Sequence, residues 1–542
     1  MSRPDRSFDL IDEPWIPLLM LDGSVEELSL SETFQRAPMA SGVLGEIPTM
    51  TFAITRLLLA ILHRAVAGPV DIGHWSELWG REVLPVAYIG RYLDAHRDRF
   101  DLLHPATPFY QVADLRSATD EASGLERLIA DIPNGIAYFS NRSGTALDSI
   151  GYAEAARWLV HAQAYETAGI KTGAVGDDRV KSGKGYGIGT GWCGSIGGLL
   201  MEGATLRQTV LLNLVAESSA YTLADSDDLP VWERAPQTAS EEKADGRTAH
   251  GPLDAYTWQK ARIRLVERDG RIVKALICNG DRAVLHNQHQ REPMTAWRRS
   301  PNQEKALGLP LVYLPQVHTP ERAMWRGISA LLPSRSGNVQ TADGADRLVP
   351  GVVSWISELR GAGALSDEQT VRAHAYGLDY GTQNAVITEI VDDALSVHVA
   401  LLSEAAVVLG EQVELAVQTA DTAVWSLGAL AGDVAIASGG DADGPKQRIT
   451  EDAYWALDGP FRSWLAGLDA HTDPISARAE WDGTAQSVVR AIAREVVESA
   501  PASSMVVHPP RKTCTPMAES KFRSRLRKIY AENGQSEERK AR

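Results

Sequence analysis

The sequence predicts an α+β protein: a large mixed N-terminal domain with β-hairpins and helices, followed by a C-terminal helix bundle of the four-helix type. Three observations favour this class. Residues 8–30 and 257–278 carry apolar runs on either side of an Asp-Gly pair, which suits a tight hairpin turn. Residues 49–66 space their apolar side chains at the helical period. From about Val371 onward, long segments rich in alanine, valine and leucine follow one another.

This change in character predicts the domain boundary near residues 361–366. We therefore expect a mixed domain over residues 1–365, which carries the recognition loops, and a helix bundle over residues 366–542. The predicted bundle segments are 383–408, 411–430, 451–468, 477–497 and 516–530. Short or Gly/Asp-rich loops join them, as expected for helices that pack side by side.

Composition limits the possible functions. The chain has 542 residues, of which 44% are hydrophobic, and a formal net charge of −16. That balance argues against a free-standing, non-specific DNA binder but allows local basic patches on one subunit of a larger complex.

The three cysteines lie far apart in sequence, which favours a reducing compartment. The apolar stretch 54–66 is broken by charges and short for a membrane span, so we expect a soluble cytoplasmic protein without a membrane partner.

A glycine-rich segment, residues 169–198, is the most unusual stretch of the chain. Its sequence is GIKTGAVGDDRVKSGKGYGIGTGWCGSIGG, and eight of the sixteen residues from 183 to 198 are glycine. Ordering glycine is entropically costly, which indicates close backbone approach to something, and the interleaved lysines suggest a phosphate or a nucleic-acid groove. The alternative is a mobile surface loop with solvated lysines. Packed segments before and after it, 152–163 and 199–215, favour a functional loop.

Catalytic motifs are not convincing anywhere in the sequence. Gly183-Lys184 is followed by glycine, so the phosphate-binding GxxxxGK[ST] pattern is absent, and GYGIGTGWCG does not fit a dinucleotide fingerprint. His286 and His289 lack an accompanying cysteine or carboxylate cluster, so no metal and no cofactor are predicted. Binding without catalysis is favoured. An enzyme that binds a nucleotide or phosphorylated ligand on residues 169–198 is the alternative, and a pure scaffold is a third possibility.

Several motifs occur in an order that resembles a known family. They are FDLIDEPWIPLLMLDG, RLLLAILHRAV, AYFSN, the glycine-rich segment and LRQTVLLNLV. Together they resemble the CasA family, the large subunit of the type I-E CRISPR surveillance complex Cascade. The resemblance implies a non-catalytic protein that contacts the 5′ handle of the guide RNA and recognises the protospacer-adjacent motif on double-stranded target DNA. It also implies help in opening the duplex, contacts with other Cascade subunits, and a docking site for the helicase-nuclease.

Two recognition loops of the family resemble stretches of this chain. The family's loop near the guide handle and motif resembles Phe139 and Asn141, whose residue types also suit base stacking and backbone contact. From the residues alone, a hydrophobic plug under a loop is the alternative. The family's glycine loop, which approaches the minor groove through its backbone, resembles the start of the glycine-rich segment, at Gly169, Lys171, Thr172 and Gly173. That loop is longer here than the family pattern.

Two further elements of the family resemble later positions. The family's lysine finger resembles a loop with Arg298 and Arg299, where arginine keeps the charge but changes the hydrogen-bond geometry. The family's glutamine wedge, which pushes between base pairs, resembles Gln383 followed by Asn384, expected at a loop-to-helix junction. Some members carry a cysteine zinc site, but this chain has only Cys278 in the corresponding region, so no zinc is predicted.

Overall fold

The computed structural model describes residues 7–119, 122–132, 148–332 and 345–540, with side chains at all of these except 404 and 532–540. Helices and strands alternate up to residue 398, and the long elements after that point are helices. The α+β fold class is therefore confirmed. The helices before residue 362 are α1 (Leu30–Arg36), α2 (Pro48–Val66), α3 (Ile72–Trp79), α4 (Val86–Ala95), α5 (Tyr152–Tyr165), α6 (Leu206–Leu212), α7 (Pro252–Tyr256), α8 (Pro301–Leu307) and α9 (Gly351–Gly361).

The strands form five small sheets within the described residues. They are β1 (Ile16–Met20), β2 (Val25–Leu28), β3 (Ala40–Val43), β4 (Lys171–Thr172), β5 (Lys184–Gly185), β6 (Gly198–Glu202), β7 (Ala261–Arg268), β8 (Arg271–Asn279), β9 (Trp297–Arg299), β10 (Tyr313–Pro315), β11 (Arg347–Leu348), β12 (Thr370–Tyr380) and β13 (Ile387–His398). Their orders are β2-β1-β3, β13-β12-β6, β10-β9-β11, β4-β5 and β7-β8.

Both predicted hairpins are confirmed. Strands β7 and β8 pair antiparallel up to Arg268 and Arg271, and Asp269 and Gly270 form the turn with φ values of 52° and 83°. Strands β1 and β2 pair in the same way, and Gly23 in their connection has a φ of 86°. Glycine takes this left-handed conformation without a steric penalty, which is why an Asp-Gly pair marks both turns.

The chain folds as two compact units. The first comprises Met1–Arg322, Arg335–Ser366 and Thr370–Ala394, and the second comprises Ala323–Ser334, Asp367–Gln369 and Leu395–Arg542. The sequence predicts a division at residue 365, whereas strand β12 and most of β13 follow that position and belong to the first unit.

The helix predicted over 383–408 is wrong. Residues Ile387–His398 of that segment form strand β13, in which Val391, Leu395 and Val397 are buried at even spacing. An even spacing is the period of a strand, and an alanine- and valine-rich composition alone did not distinguish it from a helix.

Helix α2 lies at the centre of the first unit. Thirteen of its 19 residues are buried, including Arg56, whose guanidinium donates to both carboxylate oxygens of Glu292 at 3.0 and 2.7 Å. Within the described residues α2 has the length and apolar composition of a membrane span, and 72% of its most apolar 18-residue window is buried inside the protein. Such burial is typical of a core helix.

The second unit contains the predicted bundle. Its four long helices are α10 (Val407–Ser438), α11 (Asp443–Ala466), α12 (Pro474–Glu498) and α13 (Thr515–Lys540). Helix α10 packs against each of the other three. The core is aromatic, because Phe461 stacks on Trp325 at 4.7 Å and meets Trp481 edge-on at 5.0 Å between ring centroids. The expectation of a C-terminal bundle is confirmed.

Candidate nucleic-acid interface

The glycine-rich segment is folded rather than solvated throughout. Its first residues follow the end of α5, and strands β4 and β5 close a short antiparallel ladder in which Lys171 pairs with Gly185 and Thr172 pairs with Lys184. The amide of Gly173 adds a hydrogen bond to the carbonyl of Gly183 at 2.9 Å. The segment therefore divides into a first half, residues 169–173, and a second half, residues 183–198, joined by a turn.

The second half packs against protein backbone. A Cβ atom on Gly187 would overlap the carbonyl oxygen of Ala168, and one on Gly191 would overlap the carbonyl oxygen of Ala164. The amide of Gly191 also donates to the carbonyl of Glu166 at 2.8 Å. Glycine is required here because the chain runs directly along the C-terminal end of α5. The role of these glycines, which the sequence left unassigned, is structural.

Gln383 and Asn384 lie in the turn that joins β12 to β13, and not at a loop-to-helix junction as expected. The amide of Gly381 donates to the carbonyl of Val386 at 2.9 Å and closes the turn. Both Gln383 and Asn384 are exposed and left-handed, with φ values of 59° and 52°. Asparagine tolerates this region well, whereas glutamine rarely adopts it, so the turn holds Gln383 in a strained backbone conformation.

The first half of the glycine-rich segment lies directly against this turn. The amide of Ala168 donates to the carbonyl of Asn384 at 2.8 Å. A Cβ atom built on Gly169 would be 3.7 Å from the Cβ of Ala385, which is ordinary van der Waals contact. The structure thus brings together two predicted positions, Gly169 and Gln383–Asn384, that are more than 200 residues apart in sequence.

A tyrosine hydroxyl strengthens the same junction. Tyr380, the last residue of β12, donates to the carbonyl of Tyr165 at the end of α5, at 2.7 Å. A Cβ atom on Gly194 would overlap this hydroxyl, so the second half of the segment leaves room for it. The bond satisfies a carbonyl in the last turn of α5, where helical partners are missing. The end of α5, the glycine-rich segment and the β12–β13 turn form one block.

Lys171 faces inward. Its side chain is 4% exposed, its ammonium pairs with the carboxylate of Glu166, and it lies 3.0 Å from the hydroxyl of Thr167. Thr172 is half-buried and Gly173 is buried. In this conformation the Lys171 ammonium ties the segment together rather than presenting a charge to solvent, which differs from the sequence-based expectation of a phosphate contact.

A second lysine, Lys260, is buried near Lys171. Its side chain is 2% exposed. Burial, reinforced by the positive charge of Lys171 and opposed by Glu166, lowers the pKa of Lys260 to about 7. No sequence motif marks this position, because Lys260 simply precedes strand β7.

Arg298 and Arg299 lie on strand β9, at the centre of the β10-β9-β11 sheet, rather than on a loop. Arg298 is exposed, and its backbone pairs with Leu314 and Arg347 on the two neighbouring strands. Arg299 donates through Nε to the carboxylate of Glu304 at 2.7 Å, and this hydrogen bond raises the pKa of Arg299. Arg298 is thus the member of the pair whose side chain faces solvent.

Phe139 and Asn141 lie outside the described residues. The ring of His289 packs against Trp297 and Tyr313. Asp225, Asp227 and His250 each offer a ligand atom within 4.8 Å of the others, so this cluster could hold a metal ion.

The chemical character of the site is that of a binding surface. Around the two loops the exposed residues include Ile170 and Thr382 as well as the carboxamides of Gln383 and Asn384. Cys193, within the second half of the segment, is buried, and burial raises the pKa of its thiol to about 12, so it is not a thiolate nucleophile at neutral pH. The nearby His161 is also buried, which lowers its pKa to about 3. The groups around the two loops therefore suit contact with a binding partner rather than nucleophilic attack.

Comparison with known proteins places this architecture in the class of CRISPR-associated proteins. The family model described as CRISPR-associated protein Cse1 matches residues 9–492. A curated relative from Thermus thermophilus, CRISPR-associated protein CasA/Cse1, is 31% identical over 409 residues, covering 72% of this chain and 74% of the relative. The chain belongs to the Cse1 family, also called CasA, and the resemblance found in the sequence is confirmed.

Solved structures agree with this family. Cse1 from Thermobifida fusca matches with a TM-score of 0.89 at 43% identity, covering 96% of this chain and 98% of that one. Cse1 from Acidimicrobium ferrooxidans matches with a TM-score of 0.82 at 29% identity, covering 98% and 99%. A chain of a CRISPR RNA-guided surveillance complex matches with a TM-score of 0.71 at 17% identity, covering 97% and 99%, and shows the same fold.

Proposed function

We propose that this protein is the motif-reading subunit of a Cascade-type, RNA-guided complex. In this proposal it recognises the protospacer-adjacent motif on double-stranded DNA, starts to open the duplex for pairing with the guide RNA, and performs no chemistry of its own. One observation carries the proposal. The first half of the glycine-rich segment lies against the β12–β13 turn, residues 381–386, which we call the Gln383 turn, and the Ala168–Asn384 hydrogen bond holds the two together.

The glycine-rich half of this junction suits a minor groove. That groove is narrow, and it is best entered by backbone with few side-chain atoms. Residues 168–169 are half-buried against the turn, which fixes the position of their backbone. A fixed backbone can contact base edges without losing conformational entropy on binding.

The Gln383 turn suits a wedge. Pushing between base pairs costs a few kcal/mol for each unstacked step, so the backbone that carries a wedge residue must be rigid. Gln383 is exposed and held in a left-handed backbone conformation by the closed turn and by the contact with residues 168–169. Strain held by surrounding structure is a recurrent feature of functional positions. Asn384 follows as a second exposed carboxamide.

Further contacts follow from charge. Arg298 is exposed and suits a DNA phosphate, which would contribute salt-sensitive affinity. The formal net charge of −16 fits a subunit whose guide RNA and partner proteins supply most of the affinity. We therefore propose contacts with the guide 5′ handle and other Cascade subunits, docking of the helicase-nuclease, and a cytoplasmic location.

The alternative, an enzyme that holds a nucleotide or phosphorylated ligand on residues 169–198, has less support. A phosphate cradle needs open backbone amides. In the densest part of the segment, Gly187 and Gly191 instead lie against protein carbonyls, and the amide of Gly191 already donates to Glu166.

The test is duplex opening by the reconstituted complex with guide RNA. With Gln383→Ala, we expect assembly and guide loading to be unchanged while opening of a motif-bearing duplex, followed by 2-aminopurine fluorescence, falls at least about tenfold. The matched control is Gln35→Ala, which removes an exposed glutamine from helix α1. Opening by Gln383→Ala at the parental rate would show that the wedge assignment is wrong.

A further inference from the structure

Two large side chains are exposed at the open end of the short β4–β5 ladder. The ladder pairs Lys171 with Gly185, so Ile170 and Tyr186 come next in the same antiparallel register. Ile170 is 52% exposed and Tyr186 is 54% exposed. Residues that face each other across antiparallel strands point to the same side, which places the isoleucine side chain and the tyrosine ring next to each other.

The two sides of this ladder differ in burial. Lys171 and Gly185 are buried on the inner side. Lys184 directly precedes Gly185, so it points to the outer side, where it is exposed together with Ile170 and Tyr186. This is the alternation that a strand imposes on successive side chains. We call Ile170, Lys184 and Tyr186 the outer ladder face.

The surroundings of the outer ladder face are locally positive. Between residues 171 and 186, the exposed charged residues are Lys181, Lys184 and Asp178. The amide of Lys181 donates to the carbonyl of Lys184 at 3.0 Å, so the two lysines lie in the same turn. In a chain with a formal net charge of −16, two neighbouring lysines against one carboxylate favour an anionic ligand at this place.

Both large side chains lie on backbone that its neighbours fix in place. The carbonyl of Tyr186 accepts a hydrogen bond from the side-chain amide of Asn279 at 2.7 Å. Lys171, which follows Ile170, holds its side of the ladder through its ion pair with Glu166. A contact made from fixed backbone loses little conformational entropy on binding.

The outer ladder face lies close to the Gln383 turn. Gly187, the residue after Tyr186, lies so near the carbonyl oxygen of Ala168 that it admits no side chain. The amide of Ala168 in turn donates to the carbonyl of Asn384 at 2.8 Å. A DNA strand separated at the Gln383 turn would therefore have Tyr186 within reach.

The chemistry of the face fits an unpaired nucleotide. The ring of Tyr186 offers a surface on which a base can stack, Ile170 adds apolar contact, and the Lys184 ammonium can pair with the adjoining phosphate. A base inside a duplex has both of its faces covered by neighbouring bases. This stacking is therefore open only to a base that has left the duplex.

We propose that the outer ladder face captures the first unpaired nucleotides of the DNA strand that the Gln383 turn separates, with a base stacked on Tyr186 and a phosphate paired with Lys184. The inference rests on the proposed function for the source of that strand. In this division of roles Gln383 starts the opening, and Tyr186 prolongs it while the guide RNA searches for its complement.

The experiment uses the assembled complex and a motif-bearing duplex with a preformed mismatched bubble beside the motif, which does not need a wedge. The guide RNA does not match the bubble, so that pairing cannot mask the contact. Tyr186→Ala should shorten the lifetime of the bound bubble about tenfold, because base–aromatic stacking is lost. Tyr186→Phe keeps the ring and should stay within about twofold of the parent. The matched control is Tyr88→Ala, since Tyr88 is 55% exposed on helix α4.

A second arm leaves the protein unchanged. Abasic sites replace the first unpaired nucleotides of the bubble, one at a time. At one position the abasic site should shorten the parental lifetime about tenfold, and it should have no further effect in Tyr186→Ala, because the two changes remove the same contact. Lys184→Gln should instead reduce the slope of log K against log salt by about one.

A parental lifetime for Tyr186→Ala would overturn the proposal, as would equal losses in Tyr186→Phe and Tyr186→Ala or indifference to every abasic site. Weaker guide loading or weaker assembly of Tyr186→Ala would also overturn it, because the ring would then contact RNA or a protein partner. Thermal melts identify loss of fold, and the abasic arm decides the question without any variant.

The same substrates separate this proposal from the proposed function. Gln383→Ala should hold the preformed bubble as long as the parent does, because the wedge is not needed there. Opening of an intact duplex by Gln383→Ala at the parental rate would refute the wedge and leave the capture result unaffected. A parental lifetime of Tyr186→Ala on the bubble would refute capture and leave the wedge unaffected.

Discussion

Gly169, in the first half of the glycine-rich segment, differs from Gly187 and Gly191, in the second half, in what it lies against. In the second half, Gly187 and Gly191 lie against the backbone of α5 and its following residues, at distances that admit no side chain. In the first half, Gly169 lies against the Gln383 turn, with ordinary contact distance for an added Cβ. The half with fewer glycines is the one at the proposed interface. At Gly187 and Gly191, glycine therefore marks tight internal packing rather than the proposed interface.

The largest expected effect is a difference in the free energy of unfolding between glycine-to-alanine substitutions in the two halves of the segment. Gly191→Ala should lower the free energy of unfolding by about 3 kcal/mol, because the added methyl overlaps a helix-end carbonyl. Gly169→Ala is the matched change in the first half and should cost less than about 1 kcal/mol. Urea unfolding of both variants checks this, and equal costs at the two glycines would contradict the division.

The next largest expected effect concerns Lys260, the lysine buried near Lys171 of the glycine-rich segment. The pKa of Lys260 is lowered to about 7, so the folded protein binds fewer protons than the unfolded chain between about pH 7 and 10. Stability attributable to this group therefore rises with pH across that window and is lost as pH falls toward 7. Lys260→Met should raise the free energy of unfolding by about 2 kcal/mol at pH 7. It should also flatten the dependence on pH between 7 and 10, measured by denaturant titration, whereas an unchanged slope would contradict the burial argument.

The smallest expected effect is on the salt dependence of DNA binding. It distinguishes Arg298, whose side chain faces solvent, from Lys171, whose ammonium faces inward. Arg298→Ala should weaken duplex binding by the assembled complex about threefold and reduce the slope of log K against log salt by about one. Lys171→Met should leave that slope unchanged and lower stability instead, because the Lys171 ammonium is paired with Glu166. Binding titrations at several salt concentrations distinguish the two, and a salt slope that changes with Lys171 rather than Arg298 would reverse the assignment.

The sequence was sufficient for the features that depend on local pattern. The hairpin turns at Asp22-Gly23 and Asp269-Gly270 and the C-terminal bundle follow from turn chemistry and apolar periodicity. Composition misled at residues 383–408, where an alternating pattern formed strand β13. The same misreading predicts Gln383 at a loop-to-helix junction, whereas it lies in the turn between β12 and β13.

Features that depend on tertiary contact could not be predicted. The Ala168–Asn384 hydrogen bond joins residues that only the fold brings together. The inward direction of Lys171 depends on its ion pair with Glu166, and the burial of Lys260 depends on the packing around it. The spacing of charges along the chain carries no information on either point, because burial is decided by packing.

The central claim is that residues 168–169 and the Gln383 turn act as one recognition element, and a reversible crosslink tests it most directly. Cysteines at Gly169 and Ala385 would have Cβ atoms about 3.7 Å apart, close to the mean for a disulfide, and the three native cysteines are buried. We predict that Gly169→Cys with Ala385→Cys forms the bond, and that the oxidised complex opens a motif-bearing duplex within twofold of the reduced one. Failure to crosslink, or loss of opening on oxidation that reduction restores, would contradict the claim.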